Sequence, residues 1–312
     1  MKLAIQRSNI KSLMMPIAMV IGAIFYPWMG YVTFLSPYLI FLMLLITFCK
    51  LKPSDFKPSK FEICLLGLQI FLSALAYFIL AFWNHILAEG VFICFFISTA
   101  TAAPVITSML GGSISKVATF SLFSNSLLAI TGPFVLAAIG DHPEITFSES
   151  FFLILRQVFP LILAPILLAL LLRKSAPKLH TYIVGKQQLS FYLWCVSLVI
   201  VVGSCTSFAI QHWTPETTST MILLALGALM ACLIQFKLGR KTGRYFGDPV
   251  SGGQSLGQKN TVLAVWLSLT YLNPLASIAP AAYVAWQNIV NSWQLIHHQK
   301  SLQETSSVTA TS

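Results

Sequence analysis

Ser251-Gly-Gly-Gln-Ser-Leu-Gly-Gln-Lys-Asn260, running into the apolar stretch Thr261–Thr270, decides how this chain is read. Length and hydropathy make it one membrane span, yet glycines and amides interrupt it. Lys259 lies roughly nine residues, or about 13 Å at helical rise, from one end. Half of a hydrocarbon core is about 15 Å. A lysine stem does not comfortably reach water across that depth, so the ammonium must find partners inside the protein. An intramembrane cation on an interrupted helix points to a transport site.

The rest of the chain repeats the membrane signal. Of 312 residues, 56% are hydrophobic and 9% are charged, with a mean hydropathy of +0.79. A soluble domain carries about 25% charge. Ten apolar stretches read as spans, at roughly 13–30, 33–49, 62–83, 86–108, 114–139, 150–172, 188–211, 217–237, 250–271 and 274–296. Met1–Ser12 is long and polar, and no small-x-small site closes Leu13–Gly30, so the N-terminus does not read as a cleaved signal. Six cysteines lie in or beside spans without ligand spacing and read as small buried hydrophobes.

The net charge of +10 is explained by topology, with no nucleic-acid partner expected. Seventeen of the nineteen Lys and Arg fall in alternate loops, and only Arg156 and Lys259 fall within spans. The loop at Gly140–Ser150 carries Asp141, Glu144 and Glu149 instead. This positive-inside pattern predicts a multi-pass protein with both termini cytoplasmic. A chain that is nearly all spans, with no organelle-type transit peptide, reads as a protein of a bacterial inner (plasma) membrane. The expected architecture is all-α, with ten transmembrane helices as two inverted five-helix repeats and two broken crossing helices. The unit spans 1–298, with repeat 1 at about 11–140 and repeat 2 at about 148–298. Residues 299–312 read as a disordered cytoplasmic tail.

The second interruption falls in the fourth span, at Ser98-Thr-Ala-Thr-Ala-Ala-Pro104. A helix stopped inside a membrane exposes N–H and C=O groups that hydrocarbon cannot satisfy. Thr99, Thr101 and Thr107 supply hydroxyls beside Pro104. Gln254, Ser255, Gln258 and Asn260 supply side-chain donors and acceptors beside Gly252, Gly253 and Gly257. Together they predict a polar centre where the two interrupted helices cross.

These stretches resemble the bile acid:sodium symporter family. Leu51-Lys-Pro-Ser-Asp-Phe56 is similar to its first inner loop, and Thr101–Pro133 to its fourth and fifth helices. Asn260-Thr-Val-Leu-Ala264 and Ala279-Pro-Ala-Ala-Tyr-Val-Ala-Trp-Gln-Asn288 are similar to its ninth and tenth. The resemblance implies a core domain with two crossing broken helices, a panel domain, and an organic anion carried with sodium by alternating access. The chain departs from it at the ion site. The fourth-helix pattern Pro-Gly-Gly-Thr-Ala-Ser-Asn reads Ser98-Thr-Ala-Thr-Ala-Ala-Pro104, so Ala103-Pro104 replaces the Ser-Asn pair that ligates sodium. The two fifth-helix hydroxyls fall on Val117 and Ser121. The ninth-helix Glu-x-x-x-Gln-Asn becomes Ser255-Leu-Gly-Gln-Lys-Asn260, while Gln69 matches a family amide ligand.

An anion is lost and a cation gained. Sodium 4 Å from Lys259 would meet repulsion of about 4 kcal/mol at an effective dielectric of about 20. The expected function is therefore secondary transport of a bile-acid-like or small-carboxylate anion, with the Lys259 ammonium standing in for a coupling cation. Its expected surroundings are Ser255, Gln258, Asn260, Thr101, Pro104, Ser121 and Gln69. Two other readings stay open: sodium coupling through backbone and amide ligands, and a non-transporting receptor on a transporter fold. No cofactor or protein metal site is expected, and Na⁺ and H⁺ remain the choices of coupling ion. No enzyme motif such as Gly-x-Ser-x-Gly, His-Glu-x-x-His or a P-loop occurs, and no enzyme activity is expected. Lys116 reads as an inner-loop cation and Arg156 as snorkelling. Glu62 and Glu89 read as reaching headgroups, and Asn125 and Asn288 as interhelical glue. The expected partners are the small organic anion and the bilayer.

Overall fold

Apolar spans in a bilayer must satisfy their own backbone, and helices do so locally. The computed structural model describes residues 14, 17–50, 57–100, 103–140, 146–211 and 213–311, and its named elements are all helical. They are α1 (Tyr26–Met29), α2 (Ser36–Cys49), α3 (Lys60–Ala81), α4 (His85–Phe96), α5 (Ala103–Met109), α6 (Ile114–Ile139) and α7 (Phe147–Ser175). Then come α8 (Pro177–Val184), α9 (Gln187–Gln211), α10 (Pro215–Tyr245), α11 (Pro249–Gly257), α12 (Thr261–Tyr271) and α13 (Ile278–Thr311). Two 3-10 turns lie at Gly30–Leu35 and Pro274–Ser277. Six stretches among the described residues are long and apolar enough to cross a bilayer, and α4 and α12 are shorter apolar helices. The chain is an all-α membrane protein.

The 3-10 turn at Gly30–Leu35 joins α1 to α2 in one helical stretch, Tyr26–Cys49, across the boundary expected between the spans 13–30 and 33–49. Gly22 and Met29 both lie against Val199–Gly203 of α9. Thr33 then bonds Ser204, and Met43 lies against Ser197. The Leu51–Phe56 stretch and the acidic loop at Asp141–Ile145 lie outside the described residues. α13 continues to Thr311, over the residues read as a tail.

Short polar side chains begin the helices. Ser59 and Glu62 form a capping box at α3, Thr146 and Glu149 at α7, and Asn84, Ser113, Asp248 and Asn260 cap α4, α6, α11 and α12. Each such cap satisfies N–H groups that the first turn leaves free. The expectation that Glu62 and Glu89 reach headgroups is corrected here. Both are buried. Glu62 closes its capping box, and Glu89 accepts from the Asn273 N–H at 2.8 Å and lies 3.1 Å from His85 Nδ1. The reason is local: each carboxylate has unpaired backbone N–H within reach, which outcompetes extension to water.

Two apolar clusters flank α4. Leu87, Val91, Cys94 and Phe95 pack with α3, α10 and Tyr283 of α13, whereas Phe92, Ile93, Phe96 and Ile97 pack with α2, α6, α9 and α12. α10 and α11 approach backbone to backbone. A Cβ on Gly252 would run into the Gly239 carbonyl oxygen, and one on Gly243 into that of Asp248. Gly247, at φ +74°, turns the chain between them. This close seam fixes the depth at which α11 stops.

Candidate functional site at the crossing of two interrupted helices

α4 ends at Phe96 and α11 ends at Gly257, and the extended segments that follow pair with each other. Thr99 and Lys259 form an isolated antiparallel bridge. The Ala100 N–H donates to the Gln258 carbonyl at 3.0 Å, and the Asn260 N–H donates to the Ser98 carbonyl at 2.9 Å. Each break thus supplies the backbone partners that the other has lost. The Thr99 hydroxyl adds a bond to the Ser255 carbonyl at 2.7 Å.

The remaining carbonyls at the end of α4 are covered one by one. Cys94 receives Gln235 Nε2 from α10 at 3.1 Å. Phe96 receives Gln69 Nε2 from α3 at 2.6 Å. Phe95 and Ile97 receive Lys259 Nζ at 2.9 and 3.0 Å. Lys259 is 1% exposed. Its ammonium therefore sits at the negative end of the α4 dipole, where about half an elementary charge accumulates. Charge and hydrogen-bond demand are met by the same atom. On the facing side, Tyr283 OH donates to the Gly257 carbonyl at 2.8 Å, and Gln287 Oε1 accepts the Lys259 N–H at 2.9 Å.

The residues expected around Lys259 divide into three groups. Gln69 shares the Ile97 carbonyl with it, at 3.2 Å. Ser255, Gln258 and Asn260 enter through backbone atoms, and Asn260 Oδ1 also caps α12. Ser121 joins at one remove: its Oγ lies 3.3 Å from Asn125 Nδ2, and Asn125 Oδ1 accepts from the Ser98 hydroxyl. Asn125 thus ties α6 to the first break. Thr101 lies outside the described residues.

Pro104 calls for a correction. The interruption expected at Ser98–Pro104 begins at Ile97, and Ala103 already opens α5. Proline fits a first helical turn, because its missing N–H had no intrahelical partner there. Pro104 starts the second half of this span instead of breaking it.

Gln235, Tyr283 and Gln287 were missed by the sequence reading. Their signal was an amide or hydroxyl inside an apolar span, and Gln287, Asn291 and Gln294 recur at helical spacing. Lys116, expected as a loop cation, lies 3.8 Å from Asp248 Oδ2 and over the Phe61 ring. It helps hold the start of α11 against α6. Arg156 is exposed.

Several buried polar atoms at the crossing have no hydrogen-bond partner within the protein: Ser255 Oγ, Asn260 Nδ2, Thr261 Oγ1 and Gln287 Nε2. Buried polar groups are rarely left unpaired. The crossing therefore combines a satisfied cation with unspent donors and acceptors, which suits a centre that also meets water or a polar ligand. A scan against protein-family models gives no match for this chain, and a search of curated proteins gives none either.

Proposed function

We propose that the chain is a secondary carrier of the bile acid:sodium symporter type, moving an organic anion by alternating access. In this reading ten spans form two inverted five-helix repeats in a bacterial inner membrane, with both termini cytoplasmic. The observation that carries it is the Lys259 ammonium on the Phe95 and Ile97 carbonyls, at the crossing of two interrupted helices. Carbonyl oxygens at a helix C-terminus are hard ligands that suit a small cation. Here a tethered cation takes that place, so the crossing keeps its compensating charge without binding sodium. A positive centre in a low-dielectric span also favours an anionic cargo.

The unpaired hydroxyl and amide groups beside Lys259 support the same reading, because a polar cargo or its water would use them. The test is electrogenic or tracer flux in proteoliposomes, screened over bile-acid-like anions and small carboxylates. The expected result is saturable flux of at least one anion that does not require sodium and collapses in Lys259→Ala. Flux with unchanged rate and ion dependence in that variant would refute the role given to Lys259. Saturable binding with no flux would refute the carrier assignment.

A further inference from the structure

A row of amides runs from the crossing to the basic end of the molecule, the end that carries Lys116, Arg240, Lys241 and Arg244. On α13, Gln287, Asn291 and Gln294 lie one above another at spacings of four and three residues, and each is at most 5% exposed. Gln254 of α11 faces them, donating Nε2 to Asn291 Oδ1 at 3.1 Å and to Gln294 Oε1 at 3.0 Å. Arg240 Nη2 donates to the same Gln294 oxygen at 3.0 Å. Arg240 and Gln294, with His297 and His298, line a cavity of about 290 Å³ at that end. At the other end of the row, Gln287 Oε1 holds the Lys259 N–H.

The row is under-satisfied from Asn291 to the crossing. Gln254 Oε1, Asn291 Nδ2 and Gln287 Nε2 have no partner within the protein, and Ser255 Oγ, Asn260 Nδ2 and Thr261 Oγ1 continue the series at the crossing. Leaving a buried donor or acceptor unpaired costs about 1–3 kcal/mol each. So many in one line mark a place where water completes the bonding. Beyond the crossing the character changes. On α12, Val262, Leu263, Ala264, Val265 and Leu267 are buried, and Ser268 and Thr270 close onto the carbonyls of their own helix.

We propose that the amide row between α11 and α13 is a water file, through which water, and with it protons, reach the Lys259 crossing from the basic-end cavity. The unpaired amides of the row run from the crossing toward that end, so this conformation connects the two. The ionisable groups facing Lys259 are Cys94 of α4, with Tyr283 of α13 and Cys232 of α10 next to it. Along the row they are Arg240, His297 and His298. Only the use of the passage, as a route for a coupling proton, rests on the carrier reading above.

X-ray hydroxyl-radical footprinting of the intact protein in lipid nanodiscs tests it, because radicals born from bound water oxidise even buried neighbours. Tyr283 lies one helical turn before Gln287 on α13 and Leu256 follows Ser255 on α11, while Tyr271 and Leu263, equally buried, lie on α12 beyond the crossing. The expected result is oxidation of Tyr283 and Leu256 several-fold faster than of Tyr271 and Leu263. In Asn291→Leu, Tyr283 labelling should fall to the Tyr271 rate while Trp293, beside the cavity, keeps its own. Equal rates across the two pairs in the unmodified protein would overturn the proposal, whatever Asn291→Leu does to folding. The labelling needs no cargo and no flux, so its failure and that of the carrier assignment are separately visible.

Discussion

Lys259 donates two hydrogen bonds to carbonyls that an interrupted helix leaves bare, and no carboxylate contributes to its hydrogen bonding. Removing the ammonium while keeping the stem isolates that contribution. Lys259→Met is expected to lower stability by about 1–3 kcal/mol, since Phe95 is left unpaired while Ile97 keeps Gln69. Denaturant or thermal unfolding in detergent measures it. Tyr283→Phe removes the bond to the Gly257 carbonyl and the one that its hydroxyl accepts from Gln235 Nε2, and is expected to cost about 1–3 kcal/mol, read the same way. At this scale the sequence was legible where a residue is costly to bury. Lys259 stands out because a cation in an apolar run demands an explanation, whereas Gln69 was reached only through the family resemblance. Gln235 and Gln287 did not stand out, because a lone amide on an apolar helix is usually glue and its partner is far away in sequence. Glu89 was misread for the complementary reason: nothing near it in sequence announces the Asn273 N–H that it accepts.

The paired breaks depend on the seam that sets α11 against α10. Gly239 and Gly252 touch through their backbones, so a methyl on either meets a carbonyl instead of a flexible side chain. Gly252→Ala is expected to destabilise by about 1–3 kcal/mol through overpacking. Gly67→Ala, on an open face of α3 with nothing within 4 Å, should be neutral or slightly stabilising. Unfolding midpoints of the two variants, compared side by side, check the contrast. The interruption of α11 was legible from its glycines and amides, which permit an unwound backbone. The exact start of the other was not. Pro104 drew the far end of the reading two residues too far, into the first turn of α5, because a proline looks like a breaker from sequence, yet in a first turn it is a good helix residue. The partnering of the two breaks was foreseen as a crossing, but the two-bond bridge between Thr99 and Lys259 needs coordinates, since no local pattern encodes a contact across 160 residues.

Over the whole molecule, apolar stretches and alternating charge carried the all-α membrane architecture, because the bilayer leaves helices few alternatives. Orientation belongs to the proposed reading and has its own check. A fluorescent protein fused after Ser312 should fluoresce in bacterial cells, while an alkaline phosphatase fusion there should stay inactive; the reverse pair would invert the topology. The two apolar clusters either side of α4 bring distant helices to one centre, and that centre is where the account stands or falls. Thermal unfolding of the purified protein in Na⁺ against K⁺, at fixed ionic strength, tests it most directly, because a ligand of the folded state stabilises by mass action. The account predicts coincident curves for the unmodified protein, and a saturable sodium-specific rise in Lys259→Ala, where the Phe95 and Ile97 carbonyls are freed for an ion. A saturable sodium-specific rise in the unmodified protein would contradict it.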